Sequence, residues 1–369
     1  MKKLAIIGAS YLQLPLVKKA KAMGIETHCF AWDEGAVCRE VADFFYPISI
    51  LDKEAILLEC EKIQIDGITT IATDMAMPSI SHVAERLNLT GNSYETALNT
   101  TDKWRMRNVF FQSGCAIPNF RVTDKPENNQ LNFDFPVIVK PIDRSGSRGV
   151  KKVNSQNELS EAIAVALEES ISNRAIIENF IEGREVSVES ISWKGEHYIL
   201  AITDKVTTGA PHFVELAHHQ PSLLSSEIQE KIITETLKAL TSLNVEYGAG
   251  HTEIKIDENG EVYIIEVGAR MGGDFIGSDL VELSTGYDFI QGVIEIALGN
   301  FSVPVLRQKN SSGVYFLCKE TAPLLSYFET NNEFDVEKKI QNKNLKYISN
   351  SNDRSGYLIY QSIKRQELL

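Results

Sequence analysis

Several strong signals are scarce in this sequence, and each scarcity narrows what the chain can do. No region is dense in lysine or arginine: 37 basic residues stand against 50 acidic ones, a formal charge of −13. That balance argues against nucleic acid or an anionic membrane as the main partner, while leaving room for a local basic pocket that holds phosphates. The five cysteines (Cys29, Cys38, Cys60, Cys115, Cys318) are odd in number, scattered and without C-x-x-C spacing. They suggest neither a disulfide framework nor a zinc site, and reduced cytoplasm is the expected compartment. Long apolar runs are missing too. The opening MKKLAIIGAS places a basic pair before apolar residues, but the run stops at Gly8, too short for a signal or membrane segment. It reads as a first buried strand. The turn after it, GASYLQLP, lacks the G-x-G-x-x-G that brings a backbone against a pyrophosphate. No internal repeat or low-complexity segment is visible.

What remains is an ordinary globular composition, 43% hydrophobic and 24% charged over 369 residues, enough for two or three domains with sizeable cores. The runs LAIIG, THCFAW, FFYPI and GITTIAT alternate with helical stretches around Leu12 to Met23, Lys53 to Lys62 and Met77 to Leu87. Such alternation predicts a parallel sheet with helices on its faces. A second region opens with a helix at Thr101 or Asp102 and continues through FPVIVKP, a loop, GVKKV and a helix over Glu158 to Glu169. A third holds RAIIENF, REVSVESISW, EHYILAITDKVTTG and a long helix from Ser226 to Leu243. After Asn300 the tail contains one clear strand, GVYFLC, and a polar stretch, TNNEFDVEKKIQNKN, that reads as surface.

The stretch HTEIKIDENGEVYIIEVGARMGGD raises a specific problem. Asn259-Gly260 between two apolar runs predicts a hairpin with a two-residue type I′ turn. Counting outward from that turn sets Glu253 opposite Glu266. At about 5 Å and an effective dielectric of about 20 their repulsion is at most roughly 3 kcal/mol, larger than the roughly 0.2–1 kcal/mol of a favourable cross-strand pair. VYIIEV is too apolar for an exposed edge, so a shared divalent cation accounts for the pair better than two solvated acids do.

Three further clusters bear on it. In VIVKPIDRSGSRGV a β-rich run delivers Lys140 into a loop of Ser145, Gly146, Ser147, Arg148 and Gly149. A loop of that kind can turn backbone N–H groups toward an anion, although alone it is more often a plain hairpin turn, and the P-loop pattern is absent. RAIIENFIEGREVSVE carries Glu178, Glu182 and Glu185 about a strand end, which in isolation reads as a solvated turn. TDKWRMRN puts Lys103 in the first turn of a helix, mildly unfavourable for the helix dipole and suggestive of an anionic partner.

Taken together, in this order and spacing, the clusters resemble the ATP-grasp superfamily over nearly the whole chain. The resemblance implies an α/β fold with a parallel pre-ATP-grasp domain over 1–95 and a small subdomain over 96–175 with the Gly-rich loop. A C-terminal subdomain with the metal-binding hairpin follows over 176–300, and then an extension over 301–369 that packs on the ATP-grasp domain. ATP would lie between two antiparallel sheets. Lys103 and Lys140 would contact its phosphates, with Ser145, Gly146, Ser147, Arg148 and Gly149 closing over them. Glu178 and the backbone at Ile181 would meet the adenine edge, Glu185 the ribose, and Glu253 and Glu266 two Mg²⁺ ions, with Mn²⁺ as a substitute. One departure stands out: the family usually has Asn two residues after the second acid, and this chain has Gly268. Water or a carbonyl would then complete the metal shell, since Mg²⁺ commonly keeps several waters.

A narrower likeness lies in TTGAPHFVELAHHQPS. Its P-x-F-V-E-x-x-H, with HTEIK and AR-x-GG, is similar to bacterial L-amino-acid ligases of the bacilysin-synthetase type. That implies Glu215 and His218 in an amino-acid pocket and Arg270 on a carboxylate or developing acyl phosphate, with Lys140, Arg148 and Arg270 assisting phosphoryl transfer. His212 and His219 read as surface residues of the loop. The expected activity is ATP-dependent amide-bond formation between a small carboxylate and an amine, with no nucleic acid or membrane partner; a homodimer is compatible with it. Two alternatives stay open: bicarbonate activation of the biotin-carboxylase or purine-pathway type, and a non-catalytic ATP sensor, supported only by Gly268.

Overall fold

The computed structural model describes residues 1–126, 133–144 and 148–369. Ser145, Gly146 and Ser147 of the predicted phosphate loop therefore lie outside the described residues.

Four short strands, β1 (Lys3–Ile7), β2 (Glu26–Phe30), β3 (Phe44–Tyr46) and β4 (Gly67–Thr69), form a parallel sheet in the order β3-β2-β1-β4. β1 is buried along nearly its whole length, as a strand covered by helices on both faces must be. The intervening helices α1 (Leu14–Ala22), α2 (Lys53–Ile63) and α3 (Met77–Leu87) begin and end within about two residues of the periodicity-based expectation. Pro at the first turn starts α1 and α3, and the Asp52 side chain caps α2 by accepting from Ala55 N–H. After α4 (Tyr94–Thr101), Asp102 caps α5 (Lys103–Gln112) in the same way, which fixes Lys103 as its first residue.

A second, antiparallel sheet has the order β5-β8-β6-β7, from β5 (Phe120–Thr123), β6 (Val137–Pro141), β7 (Lys151–Val153) and β8 (Ala175–Asn179). α6 (Gln156–Glu169) covers one face, and the two enclose their own apolar cluster around Val137, Val139, Ile163 and Ile177.

The third sheet has eight antiparallel strands. β9 (Arg184–Trp193), β10 (Glu196–Thr207), β11 (Glu215–Gln220), β12 (Tyr247–Ile256) and β13 (Val262–Gly268) come from the middle of the chain, with α7 (Ser226–Ser242) between β11 and β12. β14 (Ser311–Leu317), β15 (Asp335–Ile340) and β16 (Gly356–Ser362) come from the tail, and the order is β13-β12-β9-β10-β11-β14-β16-β15. The tail thus prolongs the sheet, with the polar stretch forming its edge strand β15. One continuous core joins the parallel sheet to this large sheet, running from Leu4 and Ile6 through Val188 and Ile254 to Phe289 and Ile294. The approach is close at Gly67, where a Cβ would stand 2.3 Å from the Ala297 carbonyl oxygen, so that position admits only glycine.

Candidate active site

β12 and β13 set Glu253 opposite Glu266, but not through the predicted turn. Of the two turn residues only Gly260 has positive φ, so a type I′ turn is not formed. Gly260 N–H donates to Asp257 O (3.1 Å) and Asp257 N–H to Glu261 O (3.0 Å), which closes a three-residue loop and shifts the ladder by one. An extra residue, Ile265, shifts it back between the Ile254–Ile264 and Glu253–Glu266 pairs. The carbonyl freed by this bulge accepts from Arg107 Nη2 at 2.6 Å.

Arg107, on α5 and fully buried, also pairs through Nε with Glu178 of β8 at 2.5 Å, and Glu178 pairs with Lys140 of β6 at 2.6 Å. Burial alone would raise the Glu178 carboxyl, but these two cations hold it down at about 2. Lys140 shifts the other way: burial, opposed by Glu178, lowers its ammonium. Lys103 Nζ donates to Glu266 (3.0 Å) and to the Arg144 carbonyl (2.8 Å). Burial works against its charge, yet Glu266, Asp74 and Glu253 raise its pKa above the usual lysine value.

The second carboxylate of the pair is held by Lys205 of β10. Its ammonium lies 2.6 Å from Glu185, 3.0 Å from Glu253 and 3.6 Å from Glu215. Against its burial, these three acids raise Lys205 well above the ordinary lysine range, while Lys205 holds Glu253 well below the carboxylate range. Glu253 and Glu266 are therefore not bare like charges: each has its own lysine. Glu185, expected at the ribose, is paired here with Lys205 and with Lys255 at 3.2 Å.

These groups line a cavity of about 260 Å³ between the small sheet and the large one. Lys103, Lys140, Arg148, Glu178, Ile181, Glu185, Glu215, Glu253, Glu266 and Arg270 all face it, with Pro118, Ile138, Phe180, Phe213 and Ile265 supplying apolar wall. Gly149 turns at φ +68° beside Pro141 and Glu169 and does not line it. The apolar wall suits a flat heterocycle and the cationic end suits phosphates.

A second cavity of about 250 Å³ adjoins the first and shares Asp74, Lys205, Glu215, His251, Glu253 and Arg270 with it. His218 is here, 1% exposed, with neither ring nitrogen hydrogen-bonded and burial lowering its pKa. Arg354, from the tail, donates to Glu215 (3.1 Å) and Asp274 (2.7 Å) while lying 3.7 Å above the Phe316 ring. Arg270 Nη2 donates to Asp74 of the parallel domain at 2.7 Å. His251 is held beside Glu189, whose charge overcomes burial and raises the imidazole to about 9. His212 is exposed as expected. His219 is not a surface residue: it is 5% exposed, and its Nδ1 shares a 2.9 Å hydrogen bond with the Tyr360 hydroxyl. The pairing of β11 with β14 covers it.

Sequence reasoning passed over Lys205, Arg107, Asp74, Asp274 and Arg354. Lys205 had a signal, a lysine inside a β-rich run. Asp74 had another, as an acid just beyond the carboxyl end of a parallel strand, where such sheets bind ligands. Arg354 had none, because only the tertiary fold brings the tail to the cavity.

This architecture is the ATP-grasp fold, and residues 133–279 match the family model of the ATP-grasp domain. Along nearly its full length the chain superposes on the L-amino acid ligase from Bacillus licheniformis, with a TM-score of 0.81, 24% identity, and 99% of this chain and 94% of that one covered. It also superposes on phosphoribosylglycinamide synthetase from Anaerococcus prevotii, with a TM-score of 0.78, 23% identity and coverage of 98% and 94%. In sequence it is 31% identical over 272 residues to the alanine–anticapsin ligase of Bacillus subtilis, 64% of this chain and 57% of that protein. It is 34% identical over 144 residues to the D-alanine–D-alanine ligase of Flavobacterium johnsoniae, 37% of this chain and 43% of that one. The matched stretch thus spans a little over half of the first of these curated relatives and less than half of the second.

The donor set also fits the expected metal. Among the described residues no three His, Cys, Asp or Glu side chains gather into a group able to hold an ion. Mg²⁺ asks for less, being bound through one or two carboxylates plus substrate phosphates, and Glu253 and Glu266 face the cationic end of the cleft as such a pair. The place of the missing Asn is filled: a Cβ at Gly268 would stand 2.5 Å from Asp74 Oδ1 and 3.1 Å from the Arg270 guanidinium.

Proposed function

We propose that the chain is an ATP-dependent carboxylate–amine ligase acting on amino acids or similarly small zwitterions, releasing ADP and phosphate. The observation that carries the reading is the junction of the two cavities. A phosphate-suited cleft opens, at Arg270 and Glu253, directly into a charged chamber of small-metabolite size. The curated relatives named as ligases for alanine and anticapsin or for D-alanine point the same way.

An amine cannot displace oxide from a carboxylate, so the carboxylate oxygen would first take the γ-phosphoryl group from ATP. The amine would then attack the acyl phosphate carbon and expel phosphate. Phosphoryl transfer asks mainly for positioning and charge neutralisation. Lys103, Lys140 and Arg148 would hold the phosphates, Arg270 the activated carboxylate, and Glu215 and His218 the amino-acid end. Glu253 and Glu266 would hold Mg²⁺, which when bound neutralises phosphate charge. Glu178, fixed by Arg107 and Lys140, and the backbone at Ile181 would border the adenine. Glu185 would have to exchange a lysine for the ribose.

The test is incubation with ATP, Mg²⁺ and amino-acid pairs, reading ADP release and new amides by mass spectrometry, with a bicarbonate arm alongside. Amide formation supports the ligase. ADP release with bicarbonate alone would move the assignment to carboxylation, and ATP binding without turnover across the panel would favour a sensor.

A further inference from the structure

We propose that Asp74 receives the ammonium of the attacking substrate at the junction of the two cavities and takes up the proton released as the C–N bond forms. The proposal rests on the ligase reading above and adds a residue to it from outside the matched ATP-grasp domain.

Asp74 follows β4 in the parallel domain, yet it is fixed against the loop after β13. Ala72 N–H donates to the Met271 carbonyl at 3.1 Å, and Met77 N–H donates to the Asp74 carbonyl at 3.0 Å. Asp74 and Arg270 both line both cavities, so they stand where a carboxylate activated in one would meet an amine entering from the other. The two carboxylate oxygens of Asp74 are not equivalent. Oδ2 accepts from Arg270, whereas Oδ1 is buried with no partner, in a residue 9% exposed. A buried carboxylate oxygen without a donor is costly, and an ammonium would satisfy it. Oδ1 packs close against Gly268, where a Cβ would stand 2.5 Å from it.

The balance closes. The ammonium loses two protons in becoming an amide N–H, one leaving with the expelled phosphate as hydrogen phosphate and the other passing to Asp74 Oδ1 and then to solvent. The new bond is N–C, and the bond broken is between the acyl carbon and the phosphate oxygen.

Hydroxylamine separates this role from a structural one. It reaches the acyl phosphate uncharged at neutral pH and needs no carboxylate to receive a cation. In Asp74→Asn, amide formation with amino acids should fall about 100-fold or more, the scale of a lost proton acceptor. Hydroxamate formation, with ATP and Mg²⁺ present, should stay within about threefold, because the Asn oxygen still accepts from Arg270 Nη2 in place of Oδ2. Thermal melting and ATP binding confirm folding of the variant. If hydroxamate falls in parallel with amide, Asp74 serves Arg270 or the metal and the proposal is overturned. Unchanged amide formation overturns it as well. No hydroxamate from the wild-type protein with any carboxylate would instead remove the ligase reading on which the proposal stands.

Discussion

At the scale of single residues, the decisive feature is how Glu253 and Glu266 are neutralised. From the sequence they read as a repulsive pair, and replacing either in metal-free protein would then be neutral or stabilising. The structure reverses that expectation, because Lys205 and Lys103 each hold one of them. In EDTA, Glu253→Gln should destabilise the protein by about 1–2 kcal/mol. That is less than the roughly 3–5 kcal/mol for breaking a buried pair outright, since Lys205 keeps Glu185 and Glu215. Urea unfolding reads the sign, and a gain in stability would contradict the pairing. If Glu266 holds Mg²⁺ as proposed, Glu266→Gln should also lower turnover by orders of magnitude in saturating Mg²⁺. Turnover at the wild-type level would remove Glu266 from the metal site. The acids were legible because strand alternation and charge put them in view. The lysines that balance them come from α5 and β10, at separations in sequence that no local pattern spans.

At the scale of elements, the β12–β13 hairpin shows how a right answer can come through a wrong intermediate. Asn-Gly signalled the hairpin correctly, but a three-residue loop forms in place of the type I′ turn, and the Ile265 bulge returns the ladder to the register that sets Glu253 opposite Glu266. The sequence could not disclose the bulge, because its stabilising contact is Arg107 from a helix more than 150 residues away in the chain. Arg107 therefore has two tasks, closing the bulge and neutralising Glu178. Arg107→Leu should cost about 3–5 kcal/mol in urea unfolding, the range for leaving a buried charge short of a partner. ATP affinity should fall with it, because Glu178 and Ile265 both line the cleft. Stability within about 0.5 kcal/mol of wild type, the scale of an ordinary surface change, would show that the bulge and Glu178 do not depend on it. The tail teaches the complementary point. Only GVYFLC was readable there as a strand, and nothing local foretold that Arg354 returns to Glu215 and Asp274. Arg354→Lys cannot keep the two-carboxylate fork. On the proposed ligase function it should raise KM for the amino-acid substrate several-fold in steady-state assays and leave ATP affinity unchanged, and an equal loss in both would place Arg354 at the nucleotide.

At the scale of the whole molecule, two buried histidines on opposite parts of the large sheet oppose each other in pH dependence. His219, where β11 meets the tail strands, is lowered by burial from 6.5 to about 3. Its neutral form is the one the fold accepts, so its contribution is present above 6.5 and is lost as pH falls from there toward 3. His251, on β12, is raised from 6.5 to about 9, the Glu189 charge outweighing burial. Its charged form is the one accepted, so its contribution is complete below 6.5 and is lost as pH rises toward 9. Each group alone gives a slope of at most about 1.4 kcal/mol per pH unit. Stability of the metal-free, nucleotide-free protein should therefore peak near pH 6.5 and decline on both sides, with His218 reinforcing the acid limb because burial lowers it too, and Asp279, raised by burial to about 6, offsetting part of that limb. Urea unfolding between pH 4.5 and 9 reads the curve above the range where most carboxylates titrate. His219→Gln should flatten the acid limb and spare the alkaline one, whereas His251→Gln should flatten the alkaline limb and spare the acid one. A wild-type curve level across pH 6.5, or a single variant that flattens both limbs, would show that these two sites do not set the pH response of the fold.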